Sequence, residues 1–326
     1  MTNRILDFSM EPARLSFRNG LLVIERTDKE TQTVPLTEIA SVVLGHPLIT
    51  VTQSVLGQLG KEGIAVVCCD EKFRPSGMLL PIESHHRQSQ RFESQSKLAV
   101  PKKKRLWQSM VVAKILSQAL VLEELKGMDY GLRGYARRVG SGDPGNVEAH
   151  AARRYWTILF AEQEEKFRRA DEDDARNHLL DYGYAVLRSV VARCLCGSGL
   201  HPAFGVHHRG PYNTFPLADD VMEPFRPAID RVVVQMVREL DGDNAELRLD
   251  LDRKRRLVSA ITDRYYAEGE QRTLLDLIQI TCQRLAQVVE GTSDKFEVPT
   301  WRTEVKKRAV RALSHHVDVR DVRSAG

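Results

Sequence analysis

The sequence predicts an α+β protein of two domains, a β-rich N-terminal domain over residues 1–84 and a larger all-α domain over residues 96–326. Three observations carry this. Short runs of β-branched and aliphatic residues, punctuated by turn signals, stop near residue 84. A polar stretch, ESHHRQSQRFESQ (83–95), follows, and a linker is placed at 85–95. Beyond it, apolar residues recur at helical spacing through long segments. Strands segregated from helices in this way argue against a doubly wound sheet.

In the first domain, Arg14–Phe17 and Leu21–Ile24 flank Asn19-Gly20. That pair tolerates positive φ at both positions of a tight turn, so a hairpin is expected. Thr33–Leu36, Ile39–Leu44, Ile64–Cys69 and Met78–Ile82 supply further strands. One helix interrupts them, from Thr52 as N-cap to Lys61, with Gly63 as its stop. In the second domain the apolar spacing predicts helices over Leu106–Lys126, Pro144–Glu165, His178–Cys196, Asp230–Leu240, Leu257–Glu268 and Leu274–Val289. Asp143 suits an N-cap and Pro144 the first helical position.

The 326 residues are 42% hydrophobic and 28% charged, which is ordinary for a globular protein able to bury a core without staples. No apolar run approaches the roughly 18 residues that span a bilayer. Met1–Pro12 carries charges where a secretory signal would carry an apolar core, so a cytoplasmic protein is expected. The five cysteines are odd in number and form no CxxC pair, which indicates buried thiols rather than a disulfide framework or a zinc site.

The net charge of +4 is unevenly placed: residues 85–114 carry 8 Lys/Arg against 1 acid, and residues 300–326 carry 7 against 3. Concentrated basic segments in a near-neutral chain point to a polyanionic partner. Lys102, Lys103, Lys104 and Arg105 form the densest run, with Arg87, Arg91 and Lys97 extending it and Phe92 and Trp107 interleaved. They are candidates for phosphate contact, as are Arg153 and Arg154; a solvated helix face is the bland alternative. Lys306–Arg308 and Arg311 form a last cationic stripe with the same two readings.

Three stretches carry candidate chemistry. In DPGNVEAHAARRYW (143–156), Glu148 shares a helical face with Ala151, Ala152, Tyr155 and Leu159. A carboxylate on an apolar stripe must be paired, protonated or bound to metal. GVHHR (205–209) offers His207 and His208 in a loop, either polar loop residues or imidazole ligands. In DDVME (219–223), Asp220 and Glu223 stand at i and i+3, expected to project together. A divalent cation beside them would remove their repulsion; the alternative is an acidic cluster at a helix N-terminus. Carboxylates and imidazole together suit Mg²⁺ or Mn²⁺ better than a thiolate site would.

At these residues the chain resembles the CRISPR-associated integrase family, the catalytic subunit of spacer acquisition, most closely its type II form. The stretches that carry the resemblance are LSFRNGLLVI, GNVEAHAARRYW, LDYGYAVLRSVVAR and GLHPAFGVHHRGPYNTFPLADDVMEPFRP, within about residues 5–290. The tail after about residue 295 matches nothing in that pattern. The resemblance implies a β-sandwich-like N-terminal domain, a helical catalytic domain, and a metal centre of Glu148, His208 (rather than His207) and Glu223, with Asp220 as a further catalytic carboxylate. It implies metal-dependent insertion of spacer DNA into a CRISPR array by 3′-hydroxyl attack on a phosphodiester. Double-stranded DNA (protospacer and repeat), a homodimer and a small second adaptation protein are the implied partners. A metal-dependent nuclease of branched DNA and a non-catalytic DNA-binding scaffold are the competing expectations.

Overall fold

The computed structural model describes residues 4–70, 75–83, 85–162, 167–169, 171, 173–208, 210–240 and 247–303. The N-terminal part contains strands β1 (Arg4–Phe8), β2 (Arg14–Arg18), β3 (Leu21–Glu25), β4 (Gln32–Pro35), β5 (Ile39–Leu44) and β6 (Thr50–Val51), helix α1 (Gln53–Lys61), and strands β7 (Ala65–Cys69) and β8 (Pro75–Leu79). Among the described residues they form two four-stranded mixed sheets, ordered β1-β5-β7-β8 and β4-β3-β2-β6. Asn19 and Gly20 take φ of 50° and 78° and turn β2 into β3, as the sequence expects. Thr52 precedes α1, and Gly63 (φ 69°) follows it. β1 and β6 carry no strong local signal. Each is placed by parallel pairing to a distant segment, β1 to β5 and β6 to β2.

The two sheets enclose a small core that includes Phe8, Leu15, Leu22, Ile24, Val42, Leu59 and Val66. Val43 and Ala40 of β5 belong instead to the large core of the helical part. The first sheet is thus covered on both faces.

The helical part runs through α2 (Gln88–Ser96), α3 (Val100–Lys126), α4 (Leu132–Ala136), α5 (Val147–Leu159), α6 (Ala175–Gly197), α7 (Pro216–Met222), α8 (Arg226–Glu239), α9 (Leu251–Thr262), strands β9 (Arg264–Ala267) and β10 (Glu270–Thr273), and α10 (Leu274–Glu290). α3 and α6 are its central elements, with buried residues on several faces. Residues 85–95, assigned to a linker, are mostly helical. Arg91 fastens α2 to α10 through Glu290 (2.7 Å) and reaches the Ser198 carbonyl (2.7 Å).

Two helices differ from expectation. The segment expected as helix over Leu257–Glu268 stops at Thr262, and a β9–β10 hairpin follows. Glu268 and Gly269, both at positive φ (51° and 87°), make the tight turn, and paired Tyr265 and Tyr266 favour a strand. The helix expected from Pro144 begins at Val147, because Asp143 and Asn146 both take φ of 49°. Asp143 still caps it: its two carboxylate oxygens accept the Val147 and Glu148 N–H groups, each at 2.9 Å. Residues 163–166 at its expected end, and Lys306–Arg308 and Arg311, lie outside the described residues.

Candidate active site

Lys114 sits on the inner face of α3 among Met110, Val111 and Ile115 and is 8% exposed. Its ammonium is 2.5 Å from Oε1 of Glu148 on α5 and 2.5 Å from Oε2 of Glu223. Glu223 begins a one-turn 3-10 segment, Glu223–Phe225, that joins α7 to α8. Two carboxylates from separate helices therefore converge on one cation. Glu223 is 5% exposed, and its Oε1 accepts from Arg226 at 2.7 Å. Burial alone would raise the Glu223 pKa, but the Arg226 guanidinium and the Lys114 ammonium outweigh it and hold the carboxyl at about 2. Arg226 is itself braced by the Tyr184 ring, 4.2 Å from its guanidinium carbon.

Asp220 does not project with Glu223. It is fully enclosed in α7 and faces the preceding loop. One oxygen accepts the Val206 and His207 N–H groups (2.7 and 3.1 Å). The other accepts the His208 N–H (3.0 Å) and meets His208 Nδ1 at 2.7 Å. The reason is tertiary: the N–H groups of Val206, His207 and His208 engage Asp220, while Lys114 and Arg226 engage Glu223. Asp220 thereby fixes the backbone and ring of His208 and leaves Nε2 outward. Its hydrogen bond outweighs burial and raises the His208 pKa. Gly205 permits the loop to close, since a Cβ there would lie 2.5 Å from the His208 carbonyl oxygen and 2.8 Å from Pro216 Cβ.

The adjacent histidines are thus distinguished. His207 stacks flat on Trp107 with ring centroids 4.0 Å apart, and burial lowers its pKa. His208 and Glu223 line one open depression of about 390 Å³, together with Asp219, Arg188, Arg226 and Tyr184. Arg188 is held there by Asp219 at 2.6 Å. Among the described residues, no three His, Cys, Asp or Glu side chains are gathered closely enough to hold a metal ion.

The basic candidates divide. Lys102 to Arg105 lie in the first turns of α3, and Lys103 lines a second depression of about 480 Å³ with His208, Phe204 and Gly210. Arg153 and Arg154 are exposed on α5, and Arg154 donates to the Tyr130 carbonyl at 2.5 Å. Sequence reasoning did not single out Lys114, Arg188 or Arg226. For Lys114 a signal existed: it is the one charge inside the apolar run VVAKIL.

With this geometry in view, the profile of the family described as CRISPR associated protein Cas1 matches residues 8–262. The chain belongs to the Cas1 family. A CRISPR-associated endonuclease Cas1 from Neisseria meningitidis serogroup C (strain 8013) is 42% identical over 229 residues, 69% of this chain and 73% of that protein. Among solved structures, a casposase bound to integration product superposes with a TM-score of 0.76 at 19% identity, over 95% of this chain and 98% of that one. A Cas6-RT-Cas1–Cas2 complex gives 0.70 at 20% identity, over 94% of this chain and 36% of that one. The two-domain fold is therefore the Cas1 fold, and the chain is a Cas1-family enzyme. Among the described residues, no helix is long and apolar enough to cross a membrane.

Proposed function

We propose that this Cas1 chain is a metal-dependent DNA integrase of spacer acquisition. The observation that carries the reading is the convergence of Glu148 and Glu223 on one cationic point, with His208 set beside it by Asp220. The donor set fits a hard divalent ion, Mg²⁺ or Mn²⁺. Oxygen donors from two carboxylates face one point, and the Lys114 ammonium already stands there, where positive charge is wanted. An imidazole whose Nδ1 is tied to a carboxylate is the usual arrangement for a ligand presenting Nε2. Glu148, His208 and Glu223 would hold the ion, which supplies polarisation of the scissile phosphate and neutralisation of developing charge.

The chain's own residues do the rest. Asp143 holds the first turn of α5, and with it Glu148. Arg226 keeps Glu223 ionised, and Asp220 orients His208. Lys102, Lys103, Lys104 and Arg105 would contact backbone phosphates, with Arg153 and Arg154 as outer contacts. In the reaction the 3′-oxygen of the incoming duplex bonds to phosphorus as the existing P–O3′ bond breaks, and the proton of the attacking hydroxyl passes to the departing 3′-oxygen. One phosphodiester is exchanged for another, so no nucleotide cofactor is consumed.

The proposed partners are double-stranded DNA (protospacer and repeat), a second copy of the chain, and a small second adaptation protein. Likeness to a casposase carrying its integration product supports strand joining, and likeness to the Cas1 portion of a Cas1–Cas2 assembly supports the small partner. A cytoplasmic setting accords with DNA as substrate.

The test is a joining assay with a labelled 3′-OH duplex, a repeat-bearing plasmid and Mn²⁺ or Mg²⁺, with and without the small partner. Joined product is expected only with metal, and not with Glu148→Ala, His208→Ala or Glu223→Ala. The relative's description as an endonuclease favours one second reading, hydrolysis with water as nucleophile. Metal-dependent cleavage without joined product would establish it. Activity that survives Glu148→Ala would mean that the site assignment is wrong, and neither joining nor cleavage by wild type with metal would leave a DNA-binding scaffold.

A further inference from the structure

Glu148 and Glu223 reach one ammonium from different elements, and Glu223 is enclosed. Two facing carboxylates in such a place repel unless a cation lies between them. The fold supplies that cation from a third helix, with Lys114 Nζ 2.5 Å from each carboxylate. Only 10% of the Lys114 side chain is exposed, so the ammonium is held inside the protein rather than drawn in from a surface.

The partners of Glu223 are unequal. Oε1 has Arg226 at 2.7 Å in hydrogen-bond geometry. Oε2 has the Lys114 ammonium at 2.5 Å, the same ammonium that donates to Glu148 Oε1. Oε2 is therefore the oxygen of Glu223 that shares its cation with Glu148. A divalent ion accepted by Glu148 and Glu223 would need the point at which the ammonium stands, and two cations cannot share it.

We propose that Lys114 is a positioning residue, a resident cation that keeps Glu148 and Glu223 in register in the metal-free enzyme and is displaced into the cleft when the divalent ion enters. The inference rests on the metal-dependent reading above. Its consequence is competition: the two carboxylates are preorganised, but the ion binds more weakly than it would to the same carboxylates without the ammonium.

Calorimetric titration of the full chain with Mn²⁺ alone, without DNA, tests this. Lys114→Met keeps the length of the side chain and removes the charge. It is expected to bind Mn²⁺ at least about tenfold more tightly than wild type, the size of an ordinary coupling between two sites. It should also melt at lower temperature than wild type in chelator, with saturating Mn²⁺ narrowing the gap. Lys114→Arg, which keeps the charge, should bind no more tightly than wild type. Equal or weaker binding by Lys114→Met would overturn the displacement and leave the metal reading standing. Absence of Mn²⁺ binding by wild type, or binding indifferent to Glu148→Ala, would overturn both. Should Lys114→Met fail to fold, wild type decides: acetylation of the Lys114 amine, followed by mass spectrometry, should rise severalfold on adding Mn²⁺, and an unchanged yield would overturn the proposal.

Discussion

The enclosed carboxylates Asp220 and Asp230 have contrasting surroundings. Asp220 accepts three backbone N–H groups as well as the His208 ring. Asp220→Ala would leave those donors without their acceptor, at a cost of about 2–4 kcal/mol. Urea unfolding should show that loss, and Mn²⁺ affinity should fall with it because His208 is no longer oriented; an unchanged midpoint would mean that the loop holds itself. Asp230, on α8, accepts from the hydroxyls of Tyr155 (3.0 Å) and Tyr184. Burial is the largest influence on it and lifts its pKa from 3.8 to about 6, against the pull of the Tyr184 hydroxyl and Arg226. Because the folded pKa is the higher one, folding favours the protonated form. Its stabilising contribution is complete below pH 3.8 and is lost as pH rises through about 6. Asp230→Asn lacks this loss. Its stability relative to wild type should therefore climb by up to about 3 kcal/mol between pH 4 and pH 7. Unfolding in chelator would measure this; a difference independent of pH would show that Asp230 does not carry the proton.

Close approach between segments, more than side-chain chemistry, is what the elements around the centre require. Gly183 lets α6 cross α8, since a Cβ there would lie 2.4 Å from Ile229 Cγ2. Gly183→Ala should cost about 1–3 kcal/mol by overpacking, visible as a lower melting temperature. Gly205→Ala meets backbone instead, the His208 carbonyl oxygen at 2.5 Å. It is expected to displace the His208 loop and weaken Mn²⁺ binding while the far-UV circular dichroism stays that of wild type. Both glycines stand inside stretches whose pattern reads as ordinary helix or loop, so nothing local announces them. The β9–β10 hairpin is the opposite case: Glu268-Gly269 is a legible turn, yet the amphipathic spacing before it reads as helix and obscures it.

Across the whole molecule, the basic run and the cation that meets the two carboxylates belong to one continuous helix, α3, with Lys102 to Arg105 in its first turns and Lys114 at its buried middle. On the proposed function, DNA held by the basic run would be led along α3 towards the centre. Replacing Lys102 and Arg105 with Gln should lower DNA affinity with little regard to sequence. It should also reduce the slope of log affinity against log salt by about two, one for each phosphate no longer neutralised. An unchanged slope would move the DNA path elsewhere on the surface.

What the sequence by itself determined is the order of the two parts, the Asn19-Gly20 hairpin, the long helices, and the three stretches that hold Glu148, His208 and Glu223. Turn chemistry and apolar period are local, so they can be read from neighbouring residues. The tertiary structure alone decided that β1 pairs with β5 and that Asp220 faces the histidine loop while Glu223 faces α3. It also brought Lys114, 34 residues from Glu148, into contact with both glutamates. These are contacts between segments far apart in the chain, and no local pattern encodes which charges the packing of helices will bring together.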